Sequence, residues 1–274
     1  MDLLTILLSS FLTIATAPGL VVDTVAEKNI TEKLYTVEEL QVRVDNTPSY
    51  QLIQGQIDRV RIAARGLYPI PAMRIDTFEL EMDPIDVDLA NLQLDEPQRQ
   101  IKGLRRPLLV AMRFVFTQED INQALSSPEL ADYLEILTLS LFNSATLQRA
   151  AYRYQLVNPQ VEFLGNNRVR FETELAERGY NDRLKLTVET GVEIGQASQR
   201  VRLISPEVRV NDRPAPGQFV KGLIAASDRF NLSRLEDNGI QSRVLQLKVD
   251  GDRVEMALFV RVAPASVGSE VPGR

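Results

Sequence analysis

Turn signals recur through the second half of this chain, at Gly165-Asn166-Asn167, Gly179-Tyr180-Asn181-Asp182, Gly195 to Gln199 and Asn211 to Pro216, and the runs between them alternate apolar and polar residues. A period of two marks strands with one face toward a core and one toward water. Val169, Phe171, Thr173 and Leu175 share one face. Leu184, Leu186, Val188, Val192 and Ile194 share the corresponding face of the next run, with Lys185, Glu189 and Glu193 opposite. In the third run Val201 and Leu203 are odd-numbered whereas Val208 and Val210 are even-numbered. The phase flips near Ser205-Pro206, where a bulge is expected because proline cannot donate to a ladder. Runs of about eleven residues reach about 36 Å, roughly twice the usual strand length. Strands that long need a long cover.

The first half reads the same way. Val42 and Val44 alternate with Gln41, Arg43 and Asp45; Val60, Ile62 and Ala64 with Arg59, Arg61 and Arg65; Phe78, Leu80 and Met82 with Glu79, Glu81 and Asp83. After Pro84 the alternation resumes as Ile85, Val87 and Leu89 against Asp86 and Asp88. A polar segment from Asp95 to Pro107 reads as a loop, followed by a strand carrying Leu108, Val110, Met112, Phe114 and Phe116. Thr117 with Asp120 forms a capping arrangement for a helix over Gln118 to Leu125, and Ser127-Pro128 opens a second helix with Leu130, Leu134, Leu137, Leu141 and Ala145 on its buried face. Phe219, Val220, Leu223, Ala226 and Phe230 fall at helical spacing, and Gly239 suits the close of the short turn after them. Leu245, Leu247 and Val249, then Asp250-Gly251, then Val254, Met256, Leu258, Val260 and Val262 describe a final hairpin.

The expected fold class is therefore α+β: a long, strongly twisted antiparallel sheet wrapped around a few long helices, leaving an elongated apolar groove. One domain is expected over residues 18–262, with two strand-rich halves at about 18–107 and 108–262. An apolar segment over residues 1–22 precedes it and a flexible tail over 263–274 follows.

The chemistry open to such a chain is narrowed by what its 274 residues lack, for there is no Cys, no His and no Trp. This removes disulfides, thiolate nucleophiles, Cys-based metal sites, the Ser-His-Asp triad and histidine proton shuttles. A formal charge of −6 also lacks the basic footprint of a nucleic-acid binder. Paired acids remain available for catalysis, but Glu172 and Glu174 alternate with Phe171 and Thr173 and face solvent. No enzyme, no cofactor and no metal site are expected.

Leu3 to Val22 carry no charge. The Ala15-Thr16-Ala17 site suits a secretory signal, but the segment before it has no Lys or Arg and Pro18 follows the cut. At about 20 residues the run is just long enough to span a bilayer. A helix packed on the domain or lying on a membrane, a signal or anchor, and a span all stay open. Beyond Pro18 the stripe Val22, Ala26, Ile30 and Leu34 reads as one face of an amphipathic helix.

Charged clusters also have two readings. Asp83, Asp86 and Asp88 fit a solvated strand face better than a calcium loop, since the Gly and distal Glu of such a loop are missing. Arg59, Arg61 and Arg65 are read first as cross-strand partners of Glu79, Glu81 and Asp83 and second as phosphate ligands.

The run Val42-Arg43-Val44-Asp45-Asn46-Thr47-Pro48-Ser49-Tyr50-Gln51-Leu52-Ile53-Gln54-Gly55 is similar to the opening of bacterial LmeA-like phospholipid-binding proteins. Phe116-Thr117-Gln118-Glu119-Asp120-Ile121-Asn122-Gln123-Ala124-Leu125 resembles that family's second landmark, a strand running into a T-x-x-D-I/L-N helix start. The resemblance covers nearly the whole chain, and Asp83-Pro84-Ile85-Asp86-Val87-Asp88 looks most like its cyanobacterial branch. It implies a fold related to the tubular lipid-binding (BPI-like) superfamily and non-enzymatic binding or transfer of phospholipid. It also implies membrane association in the bacterial envelope or periplasm, or at internal, thylakoid-type membranes. Met73, Met82, Met112, Phe114, Phe116, Phe163, Phe171, Leu186, Phe219 and Met256 are then candidates to line the lipid site, with core packing as the plainer reading. Arg99, Lys102, Arg105 and Arg106 are candidates for headgroups or an anionic membrane surface, because a loop lacks the built-in partners of a strand. The rival function is an envelope scaffold that binds protein partners through a curved sheet.

Overall fold

The alternating runs become strands of ten to twelve residues, long because each finds an equally long antiparallel neighbour. A computed structural model describes residues 27–28, 30–32, 34–46, 49–88, 103–128, 130, 153–180, 182–227, 232–233, 236 and 239–264. In chain order the strands are β1 (Thr36–Asp45), β2 (Gln56–Ile57), β3 (Arg59–Ile70), β4 (Met73–Asp83), β5 (Ile85–Asp86), β6 (Leu108–Thr117), β7 (Tyr154–Gly165), β8 (Arg168–Glu177), β9 (Arg183–Ile194), β10 (Val201–Val210), β11 (Arg213–Pro214), β12 (Ile240–Asp250) and β13 (Arg253–Val262). Helix α1 spans Gln118–Leu125, helix α2 spans Gly217–Ser227, and a 3-10 turn covers Ser49–Gln54.

The strands form a six-stranded sheet in the order β1-β3-β4-β6-β13-β12, a five-stranded sheet β11-β10-β9-β8-β7, and a small pair, β2-β5. Thus the first strands and the final hairpin share one sheet, and the segment between them folds as the other. The core lies on one face of the larger sheet. There Val60 stands opposite Met82, Ile62 opposite Leu80 and Ala64 opposite Phe78, all buried beneath Ile30, Leu34, Ile57, Ile85, Val87 and Leu104.

Most local expectations hold. Thr117 Oγ1 accepts the Asp120 N–H at 3.1 Å, and Asp120 Oδ2 accepts the Thr117 N–H at 3.3 Å, closing a capping box. Ser127 Oγ accepts the Leu130 N–H at 3.3 Å, as an N-cap does. The register of β10 shifts between Ile204 and Glu207, with Ser205 at φ 46°, so the bulge lies where the phase flips. Gly165, Asn166 and Asn167 at one turn and Asn211 and Asp212 at another all have positive φ, which Gly and Asn tolerate best.

Other expectations are corrected. The sheet wrapped around long helices is not what the described residues build: α1 has eight residues, α2 has eleven, and neither large sheet is strongly curled. The reason lies at the junction of the two sheets. Edge strand β7 meets α1 instead of continuing into β12: Asn122 accepts the Val161 N–H at 2.7 Å and donates to its carbonyl at 3.0 Å, and Gln118 Oε1 accepts the Phe163 N–H at 2.7 Å. Side-chain amides thus take the place of a ladder and keep two open sheets from becoming one. The continuation of the Pro128 helix, Phe230, the segments 1–22 and 265–274, Val22 and Ala26 lie outside the described residues.

Leu245 does not share a face with Leu247 and Val249. The register of β12 shifts between Val244 and Gln246, turning Leu245 outward at 60% exposure and burying Val244 opposite Leu258. Asp86 is likewise not on a solvated face, because after Pro84 the chain leaves the large sheet to pair β5 with β2 and buries this carboxylate. Among the described residues no helix is long and apolar enough to cross a membrane.

Asn122→Ala should leave both Val161 backbone groups without these partners and destabilise the fold by about 1–3 kcal/mol, whereas Glu119→Ala on the exposed side of α1 should stay within about 0.5 kcal/mol. Urea denaturation midpoints at constant slope would measure both.

Candidate functional site

The inward face of the six-stranded sheet loses burial along two of its rows. Phe78 of β4 lies opposite Phe114 of β6, which lies opposite Met256 of β13. Leu80, Met112 and Leu258 form the next row. Phe78, Leu80 and Met82 are buried, but Met112, Phe114, Phe116 and Met256 are only half-buried. The rings are ordered: Phe78 and Phe114 tilt at 46° with centroids 5.2 Å apart, and Phe114 stacks on Phe116 at 6.4 Å. Among the described residues the core therefore grades into a partly uncovered aromatic and methionine stripe.

The five-stranded sheet carries a second such face. Phe171 stands opposite Val188, which stands opposite Val208; Thr173, Leu186 and Val210 form the adjacent row, and Phe163 lies opposite Val169. Phe163 is buried, and Phe171 and Leu186 are half-buried. The opposite face is ionic, with Lys185–Glu172 at 3.4 Å, Arg183–Glu174 at 2.6 Å and Arg170–Glu189 at 3.2 Å. Helix α2 contacts β10 and leaves Phe219 and Ile224 about two-fifths exposed, at 40% and 39%.

The structure thus gathers Met82, Met112, Phe114, Phe116 and Met256 on one face and Phe163, Phe171 and Leu186 on another, with Phe219 apart on α2. Met73 joins Phe116, Ile121, Ala124, Leu125 and Leu130 around an apolar cavity of about 110 Å³ between α1 and the end of the larger sheet. Beside it Arg74 binds Glu38 at 3.1 Å and Asp76 and Asp120 at 3.2 Å. Its guanidinium is held well above the ordinary value, first by the hydrogen bond to Glu38, which outweighs the opposing effect of burial, and then by Asp120 and Asp76.

Arg99 and Lys102 lie outside the described residues. Arg105 and Arg106 have partners, contrary to the reasoning that a loop lacks them. Arg105 approaches Asp86 at 3.6 Å and Asp88 at 3.5 Å, and Arg106 approaches Asp86 at 3.4 Å. The backbone builds this contact: Arg105 N–H donates to the Asp86 carbonyl at 2.8 Å, and Leu104 bridges Val87. The same end of the molecule holds the first landmark run. Gly55, at φ 80°, accepts the Val87 N–H at 2.9 Å, and Asn46 Oδ1 accepts the Asp58 N–H at 3.1 Å. Asn46 Nδ2 and Gln51 Oε1 are buried there without a hydrogen-bond partner.

Arg59, Arg61 and Arg65 are ion-paired. Arg59 meets Glu81 and Asp83 at 3.2 Å, Arg61 meets Asp45 at 3.1 Å, and Arg65 meets Glu39 at 3.9 Å. Their face of the sheet carries a trough of about 540 Å³ in which Ala63, Ala111 and Ala257 sit among these charges. Arg113 there bonds Glu255 at 2.6 Å and Glu79 at 3.1 Å. The trough is electrically compensated.

Sequence reasoning missed Gln118 and Asn122 as edge partners, Arg74 as the clasp on Asp120, and the hairpin turn at Pro71-Ala72. The last had a legible signal, an uncharged run from Gly66 to Met73 holding two prolines. In comparisons with known proteins, a family model described as LmeA-like phospholipid-binding matches residues 17–259. No curated protein and no solved structure matches the chain.

Replacing Arg105 and Arg106 together by Gln should leave the buried Asp86 carboxylate without cations and cost about 1–3 kcal/mol, less than a fully buried pair would because both arginines are largely exposed. Thermal unfolding of the double variant against the parent would measure it.

Proposed function

The chain belongs to the LmeA-like phospholipid-binding family, and from that premise we propose that the half-buried apolar faces of its two sheets receive phospholipid acyl chains. The supporting observation is the fall in burial from Phe78 to Phe114 and Met256, and from Leu80 to Met112 and Leu258, along two adjacent rows of one face, whereas the next row, Met82, Val110 and Val260, stays buried. A filled core would bury both ends of each row alike. Phe and Met suit an acyl ligand because flexible thioethers and flat rings fill irregular apolar space. Met73, Phe171, Leu186 and Phe219 extend the proposed lining, and Met82 and Phe163 support it from the buried side.

At about 0.8 kcal/mol per CH₂ an ordinary acyl chain carries on the order of 10 kcal/mol of gross driving force, largely offset because it leaves an apolar bilayer. Exchange between membrane and protein is then nearly balanced. This suits a non-enzymatic binding or transfer role at the bacterial envelope or an internal membrane. Arg105 and Arg106, with Arg99 and Lys102, are the proposed headgroup or membrane-surface cations. The relation to the tubular, BPI-like superfamily and to a cyanobacterial branch rests on the two landmark runs and the Asp83 to Asp88 segment.

Native mass spectrometry of the purified protein should show co-purifying phospholipid. Phe171→Asp or Leu186→Asp should strip it, whereas Glu172→Lys, which breaks an exposed pair with Lys185 and a 3.3 Å hydrogen bond from the Thr187 hydroxyl, should retain it and change stability by no more than about 1 kcal/mol. A lipid-free parent would sink the proposal and favour the scaffold.

A further inference from the structure

We propose that the turn joining β3 to β4, together with Tyr35, is the element by which this protein docks on a phospholipid bilayer. Ile70 pairs with Met73 across a turn made of Pro71 and Ala72. Hairpin turns ordinarily use Asn, Asp or Gly, yet Gly66 to Met73 contains no charged residue. Ile70 is 43% exposed and Pro71 is exposed beside it. Tyr35, 64% exposed, donates its N–H to the Tyr68 carbonyl at 3.1 Å, which places its ring at the same end of the sheet.

The tip is held from below. Leu67 and Ile75 are opposite one another and buried, so the hairpin is anchored at its base, with a register shift between Leu67 and Ile70 leading into the tip. Gly66, at φ 54°, is packed against β1, where a Cβ would meet the Glu38 carboxylate at 2.0 Å. The exposed apolar tip thus projects from a buried base.

Three features favour a bilayer over a protein partner. A two-residue turn with one neighbouring ring is far smaller than the roughly 800 Å² each partner contributes to a stable protein interface, whereas a membrane surface needs only shallow insertion of apolar groups. Tyrosine combines an apolar ring with a polar tip and concentrates at the membrane–water boundary. Prolines at 69 and 71 supply no N–H groups, which reduces the number of donors to satisfy on entering lipid.

The docking is apolar, not electrostatic, because the nearby Arg74 is already engaged by Glu38, Asp76 and Asp120. It also has a consequence for loading. Met73 ends the turn and lines the apolar cavity with Phe116 and Leu125, so docking sets that cavity beside the acyl region. Arg105 and Arg106 precede β6 and this cavity follows it, about 30 Å away along the ten-residue strand. The two ends can therefore be tested separately. The inference deepens the phospholipid-binding reading and rests on it for the choice of surface.

The experiment is co-sedimentation with phosphatidylcholine vesicles and with phosphatidylglycerol-containing vesicles, at low and high salt, for the parent, Ile70→Asp, Tyr35→Ser and Tyr180→Ser. Tyr180 is an equally exposed ring, 67%, at the β8–β9 turn. Circular dichroism and thermal unfolding establish that each variant is folded. Ile70→Asp is expected to weaken binding to both vesicle types about tenfold, Tyr35→Ser to weaken it less, and Tyr180→Ser to leave it unchanged, with little dependence on salt for phosphatidylcholine vesicles and, for phosphatidylglycerol-containing vesicles, only the salt dependence that the basic end adds equally to all four proteins. A parent that does not bind phosphatidylcholine vesicles, a folded Ile70→Asp that binds as the parent does, or an equal loss in Tyr180→Ser would overturn the proposal. Co-purified lipid measured on the same samples separates the two readings. Tip-dependent vesicle binding without bound lipid upholds the docking element and removes the acyl site, and bound lipid with tip-independent vesicle binding does the reverse.

Discussion

A strand edge must have its backbone groups satisfied, and the way β7 meets that requirement organises the molecule. Its Val161 and Phe163 bond to Asn122 and Gln118, residues one helical turn apart on α1. These amides serve as a short substitute strand. Their position depends on the capping box of Thr117 and Asp120, and Asp120 is in turn gripped by Arg74 from β4. The clasp therefore connects both large sheets through one eight-residue helix. A second tie runs through Asn167, whose side chain accepts the Val249 N–H at 2.7 Å and whose carbonyl accepts the Val192 N–H at 2.8 Å. The T-x-x-D-I/L-N landmark thereby acquires a physical meaning as cap, clasp and edge partner.

With the sheets held open, each has a charged face and an apolar one. The charged faces are lattices of cross-strand pairs such as Arg59–Glu81 and Arg113–Glu79. Individually these add little stability, but they make burial of that face expensive and so leave the apolar faces to find cover. The larger sheet covers its β3–β4 side and leaves Met112, Phe114, Phe116, Met256 and Leu258 of β6 and β13 half-buried, while Leu108, Val110, Val260 and Val262 of the same strands stay buried. The proposed lipid contact and the hairpin tip follow from that incomplete cover.

Much of this was legible in the residues themselves. Strand facing, the Ser205-Pro206 bulge, the Thr117–Asp120 cap and the pairing of Arg59 with Glu81 and Asp83 all follow from side-chain parity, capping chemistry or opposite charge on adjoining strands, whereas Arg61 and Arg65 turn chiefly to Asp45 and Glu39 of β1, the other neighbour of β3. Leu245 was misread because a bulge shifts parity without any Gly or Pro to announce it. Asp86 was misread because its burial depends on the pairing of β5 with β2 and its cations come from Arg105 and Arg106, all distant in the chain. The candidate site was legible as a set of apolar positions. Their division between core and partly uncovered stripe was not, since Met82 and Met112 occupy equivalent positions in their alternating patterns.

By itself the sequence determined the periodicity, the turns, the caps, the absence of histidine and cysteine chemistry, and the likeness to a phospholipid-binding family. Each of these depends on residue identity or on neighbours within a few positions. Tertiary structure alone decided that the first strands and the last hairpin share a sheet, that β7 ends on α1, and which apolar side chains stay uncovered. It also decided that Ile70 and Tyr35 lie at the same exposed end of a sheet. Those outcomes depend on which distant segments pair and which backbone groups then lack a partner, and alternation within a single strand carries no information about either.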